Sequence, residues 1–419
     1  MENHRNWAGN YRYSATELYV PEQLEQVKEK VASSSRVKVL GSRHSFNGIA
    51  DTDACHISLE KLNRVIELDR VNYRVTVEGG IRYGELGRFL HEQGYALHNL
   101  ASLPHISVAG AIATATHGSG DRNGNLATAV HALELVKADG ETVVFSRDQQ
   151  DGSFEGAVVG IGALGVVTRL TLNVVPTFHI SQTLYEHLPL EKLQAHFDDI
   201  YSSAYSVSLF TDWKDETINQ VWLKQAAERQ NDIFAEPEFY GAKQAADKLH
   251  PVPGVNPENC SEQMGVPGPW CDRLPHFRME FTPSAGEELQ SEYFVARKDA
   301  YEALLAIDSI RDHIAPHLLI SEIRTIAADD FWMSPNYKQA SAGFHFTWKP
   351  DWEAVRKVLP LIEEKLAPFQ ARPHWGKLFT MQPELVQSRY EKLPEFRELI
   401  RRCDPHGKFG NEFLEKYIY

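Results

Sequence analysis

The chain has 419 residues, with 43 lysines and arginines against 57 aspartates and glutamates, which gives a formal net charge of −14. This acidic balance argues against a protein that coats nucleic acid, because phosphate binding needs concentrated positive charge. A composition of 42% hydrophobic and 24% charged residues is typical of globular proteins, and at roughly 100–200 residues per domain the length predicts two or three domains.

Targeting and cysteine patterns narrow the class of protein further. No apolar run reaches about 18 residues, and the N-terminus lacks a signal-peptide pattern, which predicts a cytoplasmic protein without membrane contacts. The cysteines stand at positions 55, 260, 271 and 403 without a CxxC pair. Neither a disulfide framework nor a metal site is therefore expected. The expected form is a monomer.

The first 180 residues are predicted to form short strands that alternate with helices. Pro21 stands at a predicted first helical position, and the apolar residues after it recur at three- and four-residue steps. Strands are predicted at 37–41, 64–69 and 74–80, and the hairpin at 133–145 turns at Asp139-Gly140. Two further helices are predicted, one at 83–94 that ends at Gly94 and one at 107–118.

Between about 180 and 370 the pattern changes to longer elements. Helices are predicted near 190–204, 298–313 and 352–367, and strands near 205–211, 218–224, 317–326 and 342–348. This change predicts a second domain. Residues 250–275 are dense in proline and glycine, which indicates an irregular loop over a site.

A glycine pattern at 160–165 matches G-x-G-x-x-G letter for letter. A dinucleotide fingerprint needs a strand before the glycines and a helix after them, so that the pyrophosphate meets the helix N-terminus. Here a strand-like sequence, VVTRLTLNVV, follows instead. The pattern therefore does not predict a Rossmann site.

Two other segments are more informative. The run G-S-R-H-S-F-N-G at 41–48 leaves a predicted strand, where small residues and an arginine favour anion binding, although an ordinary polar turn has the same composition. More than half of residues 99–120 are Gly, Ala, Ser or Thr, which indicates that a flat body approaches the backbone closely. A large planar cofactor with a diphosphate would satisfy both segments.

These two segments, together with TVEGGIRYGEL and GALGVVTRLTLNVVP, resemble the vanillyl-alcohol-oxidase-type flavoproteins, and among them the alditol oxidases (xylitol or sorbitol oxidases). The run His374-Trp-Gly-Lys377 is similar to the related aldonolactone oxidases. The resemblance implies an α+β protein with a PCMH-type FAD-binding domain formed by residues 1–178 and 371–419. Residues 179–370 would form an α+β cap that binds the substrate.

The resemblance also implies that a ring nitrogen of His44 carries the 8α-methyl group of FAD covalently. This chemistry is reasonable because neutral imidazole is a nucleophile near pH 7. Relatives with doubly attached flavin use a cysteine that this chain lacks, so one bond is expected. The implied cofactor contacts are Gly41, Ser42, Arg43, His44, Ser45, Phe46, Asn47, Ala101, Ser102, Ser107, Gly110, Thr114, His117, Gly118, Val166 and His345.

Two predicted strands present polar residues on one face. The two-residue period places Glu322 and Arg324 together in one strand, and His345 and Thr347 together in the other. The pattern alone equally suits a solvated antiparallel face. The resemblance adds Ser102 and Lys377 and implies a polyol site formed by Ser102, Glu322, Arg324, His345, Thr347 and Lys377.

The charge that develops during hydride transfer indicates a role for each of these residues. Hydride transfer to flavin leaves negative charge on its pyrimidine ring, where Lys377 is the candidate cation. Arg324 would hold the reacting oxygen, Glu322 a neighbouring hydroxyl, and His345 would accept the proton. Ala101 matches the position beside the flavin at which relatives differ between oxygen-reactive and oxygen-shielded enzymes.

The implied reaction is oxidation of the terminal hydroxyl of a linear polyol such as xylitol or sorbitol to the aldose, with O2 reduced to H2O2. Two alternatives stay open. One is an aldonolactone oxidase or dehydrogenase, and the other is a flavin-binding carbohydrate sensor without turnover.

Overall fold

The computed structural model describes residues 4–226, 236–281 and 287–419. The strands in these ranges are β1 Glu17–Tyr19, β2 Val37–Val39, β3 Cys55–Ile57, β4 Val65–Asp69, β5 Arg74–Glu78, β6 Tyr95–Ala96, β7 Val130–Val136, β8 Thr142–Ser146, β9 Val166–Asn173, β10 Val175–Pro176, β11 His179–Pro189, β12 Ser206–Thr211, β13 Thr217–Ala226, β14 Glu238–Phe239, β15 Ala242–Gln244, β16 Gly268–Pro269, β17 Leu289–Ala296, β18 Leu318–Ile326, β19 Ser341–Trp348 and β20 Arg372–Pro373.

Helices connect the strands and cover the sheets. Their bounds are α1 Leu24–Ser33, α2 Tyr83–Glu92, α3 Val108–Ala113, α4 Ser153–Val158, α5 Lys192–Ser202, α6 Trp270–Arg273, α7 Ala300–Asp308, α8 Arg311–Ile314, α9 Trp352–Leu366, α10 Pro383–Gln387, α11 Leu393–Cys403 and α12 Glu412–Tyr417. No helix in the described ranges is long and apolar enough to cross a membrane. All four cysteines carry free thiols.

Besides the two-stranded sheet of β6 and β10, the N-terminal part contains two larger sheets. A parallel sheet has the strand order β1-β3-β2, and an antiparallel sheet has the order β4-β5-β9-β7-β8. In β9 the side chains alternate between buried and less buried positions, as the two-residue period of a strand requires. Val166 nevertheless belongs to the cluster around Val37 and Ile57 while Leu170 joins the main core, because the register between β9 and β7 shifts between these two residues.

The rest of the chain is organised around one large antiparallel sheet. Its order is β14-β15-β11-β13-β12-β18-β19-β17-β20, and β16 pairs with β11. Every residue of β19 is buried, and so is nearly every residue of β17 and β18. The polar residues of these strands are therefore enclosed, so the alternative of a solvated antiparallel face is wrong.

The C-terminal residues pack back onto the N-terminal part. Asn47 donates hydrogen bonds from Nδ2 to the carbonyl oxygens of Trp375 and Lys377, at 2.9 and 2.8 Å. Asn411 donates from Nδ2 to the carbonyl oxygens of Gly48 and Ile49, at 3.0 and 3.1 Å. The loop that follows the G-S-R-H run is thus bound on both sides by the end of the chain.

Several predicted elements differ from the observed ones. The first helix begins at Leu24 after Gln23, so Pro21 precedes it and does not occupy its first turn. The helix predicted at 298–313 is divided into α7 and α8. The helix predicted at 107–118 ends at Ala113, because Ala115 adopts a φ of 54°. Strands β11 and β17 were not predicted.

Candidate active site

A deep cleft lies between the N-terminal part and the large sheet, with about 2290 Å³ of space including its open mouth. One wall comes from residues 41–45 and from the small-residue segment, including Ala101, Ser102 and Ser107. The opposite wall comes from the polar face of β17, β18 and β19. The loop predicted over a site contributes His250, Pro251 and Val252 to this lining.

His44 lies in the wall of the cleft beside Trp7. The two rings are stacked, with centroids 5.3 Å apart and an interplanar angle of 16°. Both ring nitrogens are buried, and neither makes a well-formed hydrogen bond within the described residues. Burial lowers the pKa of His44 to about 4, with the Ser42 backbone acting weakly in the opposite direction. The imidazole is therefore neutral at pH 7 and retains an available lone pair.

The cleft wall beside His44 is built from backbone with little space for side chains. A Cβ on Gly41 or on Gly110 would lie within 3 Å of the Ser107 hydroxyl oxygen. The backbone N–H of Ser107 donates to the hydroxyl of Ser42 at 3.1 Å, which joins the two predicted segments. Arg43 adopts a φ of 64°, which turns the G-S-R-H run sharply. The wall is thus flat enough for a planar group to lie against the backbone.

The rejected glycine pattern has a place in the cleft after all. Helix α4 precedes it and β9 follows it, which is the reverse of the dinucleotide order. Nevertheless Gly160, Gly162 and Gly165 line the cleft. Buried Lys38 donates to the carbonyl oxygen of Gly162 at 3.0 Å and fixes this loop. The sequence argument excluded the Rossmann fold but missed the contribution of these glycines.

Four predicted cofactor contacts have side chains outside the cleft. Phe46 belongs to the main core, and Asn47 binds the C-terminal segment. Gly118 packs against the Leu100 carbonyl, where a Cβ would approach to 2.3 Å. Val166 belongs to the other core cluster, and its neighbour Val167 lines the cleft. The other predicted contacts, including Thr114 and His117, line the cleft.

Strand register brings the polar residues of the large sheet together. His345 on β19 pairs with Glu322 on β18 and with Glu292 on β17. The cleft-facing positions are the predicted Glu322, Arg324, His345 and Thr347, together with Gln290 and Glu292. The alternate residues Phe344, Phe346 and Trp348 lie in the core on the opposite face.

Glu292 is the centre of this polar face and was not predicted. Its Oε2 lies 2.7 Å from Lys377 Nζ, and its Oε1 lies 2.8 Å from Arg324 Nη2 and 3.1 Å from His117 Nε2. Burial alone would raise the pKa of Glu292, but Lys377, His117 and Arg324 hold it well below the usual range. Lys377 is thus an ion-paired cation. The sequence of β17 contains no periodic signal for Glu292, because Gln290, Ser291 and Glu292 are consecutive polar residues.

Glu322 has its own buried partners. His276 Nε2 lies 2.8 Å from Glu322 Oε1, and Lys224 Nζ lies 3.0 Å from His276 Nδ1. Burial would raise the pKa of Glu322, but Arg324 and His276 keep it far below its usual range. Arg324 Nε lies 3.6 Å from Glu322 Oε2 and has no hydrogen-bond partner within the described residues. A buried donor and a buried carboxylate therefore face the cleft side by side.

The histidines at this face are neutral. Burial, reinforced by Lys377, lowers the pKa of His345 well below its usual value. The same causes act on His374, whose Nδ1 accepts a hydrogen bond from the Gly376 backbone at 3.1 Å. The neutral imidazole of His345 has a lone pair for a proton at pH 7, and the same burial makes it a weaker base than a free histidine.

The residues of the cleft fit FAD. The backbone wall suits a planar ring system and a diphosphate, and the same wall contains a buried imidazole whose ring nitrogens make no well-formed hydrogen bond among the described residues. Residues 18–146 match the family described as FAD binding domain, and residues 286–417 match the family described as D-arabinono-1,4-lactone oxidase.

Relatives extend this similarity over the whole chain. The chain is 48% identical to alditol oxidase of a Streptomyces species, covering 99% of this chain and 98% of that protein. It is 28% identical to L-gulonolactone oxidase of Mus musculus, with the same coverage of both chains. The fold is similar to glucooligosaccharide oxidase from Acremonium strictum, with a TM-score of 0.75, 14% identity, and coverage of 98% of this chain and 93% of that one.

The fold, the cleft and these matches define an FAD-dependent oxidoreductase of the vanillyl-alcohol-oxidase type that acts on a small molecule. The chain belongs to the alditol oxidase family. The predictions of an α+β fold, of this family and of FAD as cofactor are confirmed.

Proposed function

We propose that the protein oxidises the terminal hydroxyl of a linear polyol to the aldose and reduces O2 to H2O2. The observation that carries this proposal is a row of buried hydrogen-bonding side chains along one wall of the cleft. The row consists of Glu322, Arg324, His345 and Thr347. A polyol needs several hydrogen bonds at once, and buried polar groups left unpaired reject molecules that lack the matching hydroxyls. Identity to an alditol oxidase supports the same substrate class.

The two tasks of binding FAD and covering the substrate belong to different parts of the chain. We infer that residues 1–178 and 371–419 hold FAD and that residues 179–370 form the cap over the substrate. The hydrogen bonds of Asn47 and Asn411 across the first two segments support this division. We also propose that the protein is a monomer.

Side-chain roles follow from the contacts. FAD, when bound, would supply the hydride acceptor and the route for two electrons to O2. Arg324 holds the reacting oxygen through Nε, which makes no hydrogen bond among the described residues, and Glu322 accepts a hydrogen bond from the adjacent hydroxyl. His345 takes the hydroxyl proton, because burial keeps its ring neutral. Lys377 supplies positive charge while Glu292 fixes its position at 2.7 Å.

We propose that FAD is attached through His44. The imidazole is neutral and stacked on Trp7, and neither ring nitrogen makes a well-formed hydrogen bond, so its nucleophilic lone pair is available. In glucooligosaccharide oxidase, a solved structure of similar fold, the FAD is an 8α-N1-histidyl FAD, joined to a histidine of that protein. No cysteine lies between Cys55 and Cys260, so we propose a single covalent bond.

An anaerobic substrate test distinguishes polyol oxidation from aldonolactone oxidation. The match of residues 286–417 to lactone oxidases favours an aldonolactone as the second candidate. Xylitol or sorbitol should bleach the yellow enzyme without air, and readmitted oxygen should restore the colour with formation of H2O2. Bleaching by L-gulono-1,4-lactone alone would contradict polyol oxidation, and no bleaching by either compound would contradict catalysis.

The prediction about O2 as electron acceptor concerns Ala101, which lines the cleft and is 7% exposed. If its methyl group limits oxygen access, Ala101→Gly should accelerate reoxidation of reduced enzyme, and Ala101→Val should slow it. Reduction by polyol should stay nearly unchanged in both variants. Stopped-flow mixing of photoreduced enzyme with oxygenated buffer measures these rates.

Matched stability measurements identify the alternative, in which Ala101 is only a packing residue. The glycine variant would then lose roughly 0.5–1 kcal/mol of unfolding free energy through backbone entropy. Equal reoxidation rates for wild type and both Ala101 variants would contradict a gating role.

A further inference from the structure

A second polar chain adjoins the substrate-facing carboxylate, with His276 at the edge of the cleft lining and Lys224 outside it. Lys224 is on β13, His276 is in the irregular segment before β17, and Glu322 is on β18. Exposure of these three residues is between 1% and 5%. The His276 ring packs edge-on against Phe210 and Trp222, with centroids 5.7 and 5.1 Å away, which restricts its orientation.

Counting donors and acceptors assigns the proton positions. The Lys224 ammonium has three N–H donors, and its three neighbours are the carbonyl oxygens of Leu274 and Pro275 and the Nδ1 of His276. His276 Nδ1 then accepts, so the ring proton lies on Nε2, 2.8 Å from Glu322 Oε1. Glu322 Oε1 must accept this bond, which leaves Oε2 toward Arg324 and the cleft.

We propose that Lys224 and His276 are positioning residues that fix Glu322 as an ionised hydrogen-bond acceptor for a substrate hydroxyl. This inference rests on the proposed polyol function. The lysine fixes the tautomer of the histidine, and the histidine fixes one oxygen of the carboxylate. The other oxygen is thereby held for the hydroxyl next to the oxidised carbon.

The charge states near neutral pH set the conditions of the test. Burial lowers the pKa of Lys224 to about 7, while the charge of Glu322 acts in the opposite direction. Burial, reinforced by Lys224, lowers the pKa of His276 to about 4. At pH 6 the lysine is mostly charged and the histidine neutral, so all measurements are made at that pH.

A double-mutant cycle tests the positioning role through polyol affinity. His276→Met removes the donor to Glu322, whereas His276→Gln keeps an N–H donor of similar reach. In anaerobic stopped-flow titrations with xylitol we expect His276→Met to raise the dissociation constant about tenfold or more, with the limiting reduction rate changed less than threefold. We expect His276→Gln to recover most of the affinity.

Coupling distinguishes positioning from a merely structural role. In a Glu322→Gln background, His276→Met should change xylitol affinity less than twofold, because the positioned carboxylate is already absent. Independent, additive effects would overturn the proposal. Absence of reduction by xylitol in wild-type enzyme would contradict the proposed function instead.

The tautomer is tested without turnover, even if His276→Met fails to fold. In the FAD-loaded protein labelled with [15N]histidine, the ring signals lost in His276→Gln belong to His276. We expect a neutral ring with its proton on Nε2 at pH 6, and a shift of the Nδ1 signal in Lys224→Met. A proton on Nδ1, or a doubly protonated ring, would overturn the proposal.

Discussion

Lys377→Met is expected to slow anaerobic reduction of the enzyme by polyol about 10²–10³-fold while FAD stays bound, which is the usual effect of removing a preorganised electrostatic partner. The ammonium is held 2.7 Å from Glu292 Oε2, and methionine retains most of its volume without its charge. Rapid-mixing absorption spectroscopy at about 450 nm, near the visible absorption maximum of flavin, measures the reduction rate. A rate within about threefold of wild type would identify Lys377 as structural.

Glu292→Gln is the matched control for charge at the same ion pair. It removes the anion and leaves the lysine, so we expect a smaller loss of rate than in Lys377→Met. Equal losses in the two variants would mean that the geometry of the pair matters more than the positive charge. Retention of FAD in both proteins, checked by their visible spectra, excludes a trivial loss of cofactor.

The pH dependence of reduction provides a second readout of the same residue. Burial lowers the pKa of Lys377, and the carboxylate of Glu292 opposes this shift, while Arg324 adds to it. The charged form exists below this pKa, so the reduction rate should fall as pH rises through it. Glu292→Gln removes the opposing charge and should move the fall to lower pH. An unchanged profile would contradict a charged Lys377 in the rate-determining state.

The substrate-facing strands could be predicted because their alternation is local. Glu322 and Arg324 are two residues apart, and the same spacing relates His345 to Thr347, so a strand period places each pair on one face. That β18 and β19 lie side by side depends on their register, which pairs Glu322 with His345. The sequence indicated the two faces, and the fold brings them into the cleft.

Glu292 and His276 were missed for physical reasons. Glu292 lies on β17, where the polar residue Ser291 stands between Gln290 and Glu292, so no polar–apolar alternation marks the cleft face of this strand. His276 lies in an irregular segment without periodicity, and its contact with Lys224 joins residues 52 positions apart. Single-residue contacts between distant segments leave no repeating pattern in the sequence.

The backbone wall of the cleft was also predicted only in part. Small residues at 41–48 and 99–120 indicated a flat surface, and most of them line the cleft. Val166 was predicted to contact the cofactor, but Val167 lines the cleft instead, and the register shift between β7 and β9 at this point has no signal in the sequence. The glycines at 160–165 were assigned no role, since only tertiary structure brings them beside Lys38.

His44→Ala is expected to abolish covalent attachment of FAD completely. The reason is specific to this side chain, because its ring nitrogens are buried in the cleft wall without well-formed hydrogen bonds and its ring is neutral. Wild-type protein precipitated with acid should form a yellow pellet, and the His44→Ala pellet should be colourless. Mass spectrometry of the intact wild-type chain should show the added mass of one FAD.

His131→Ala provides the matched control for this experiment. His131 is a buried histidine on β7 that pairs with Asp148 and lies outside the cleft lining, so its loss perturbs the same domain without touching the proposed anchor. Its pellet should stay yellow. A colourless pellet from flavin-replete wild type would contradict covalent attachment, and a yellow pellet from His44→Ala would assign the bond to another residue. Retained noncovalent FAD in soluble His44→Ala would show that the backbone wall formed by Gly41, Ser107 and Gly110 binds the cofactor independently of the bond, as its close packing leads us to expect.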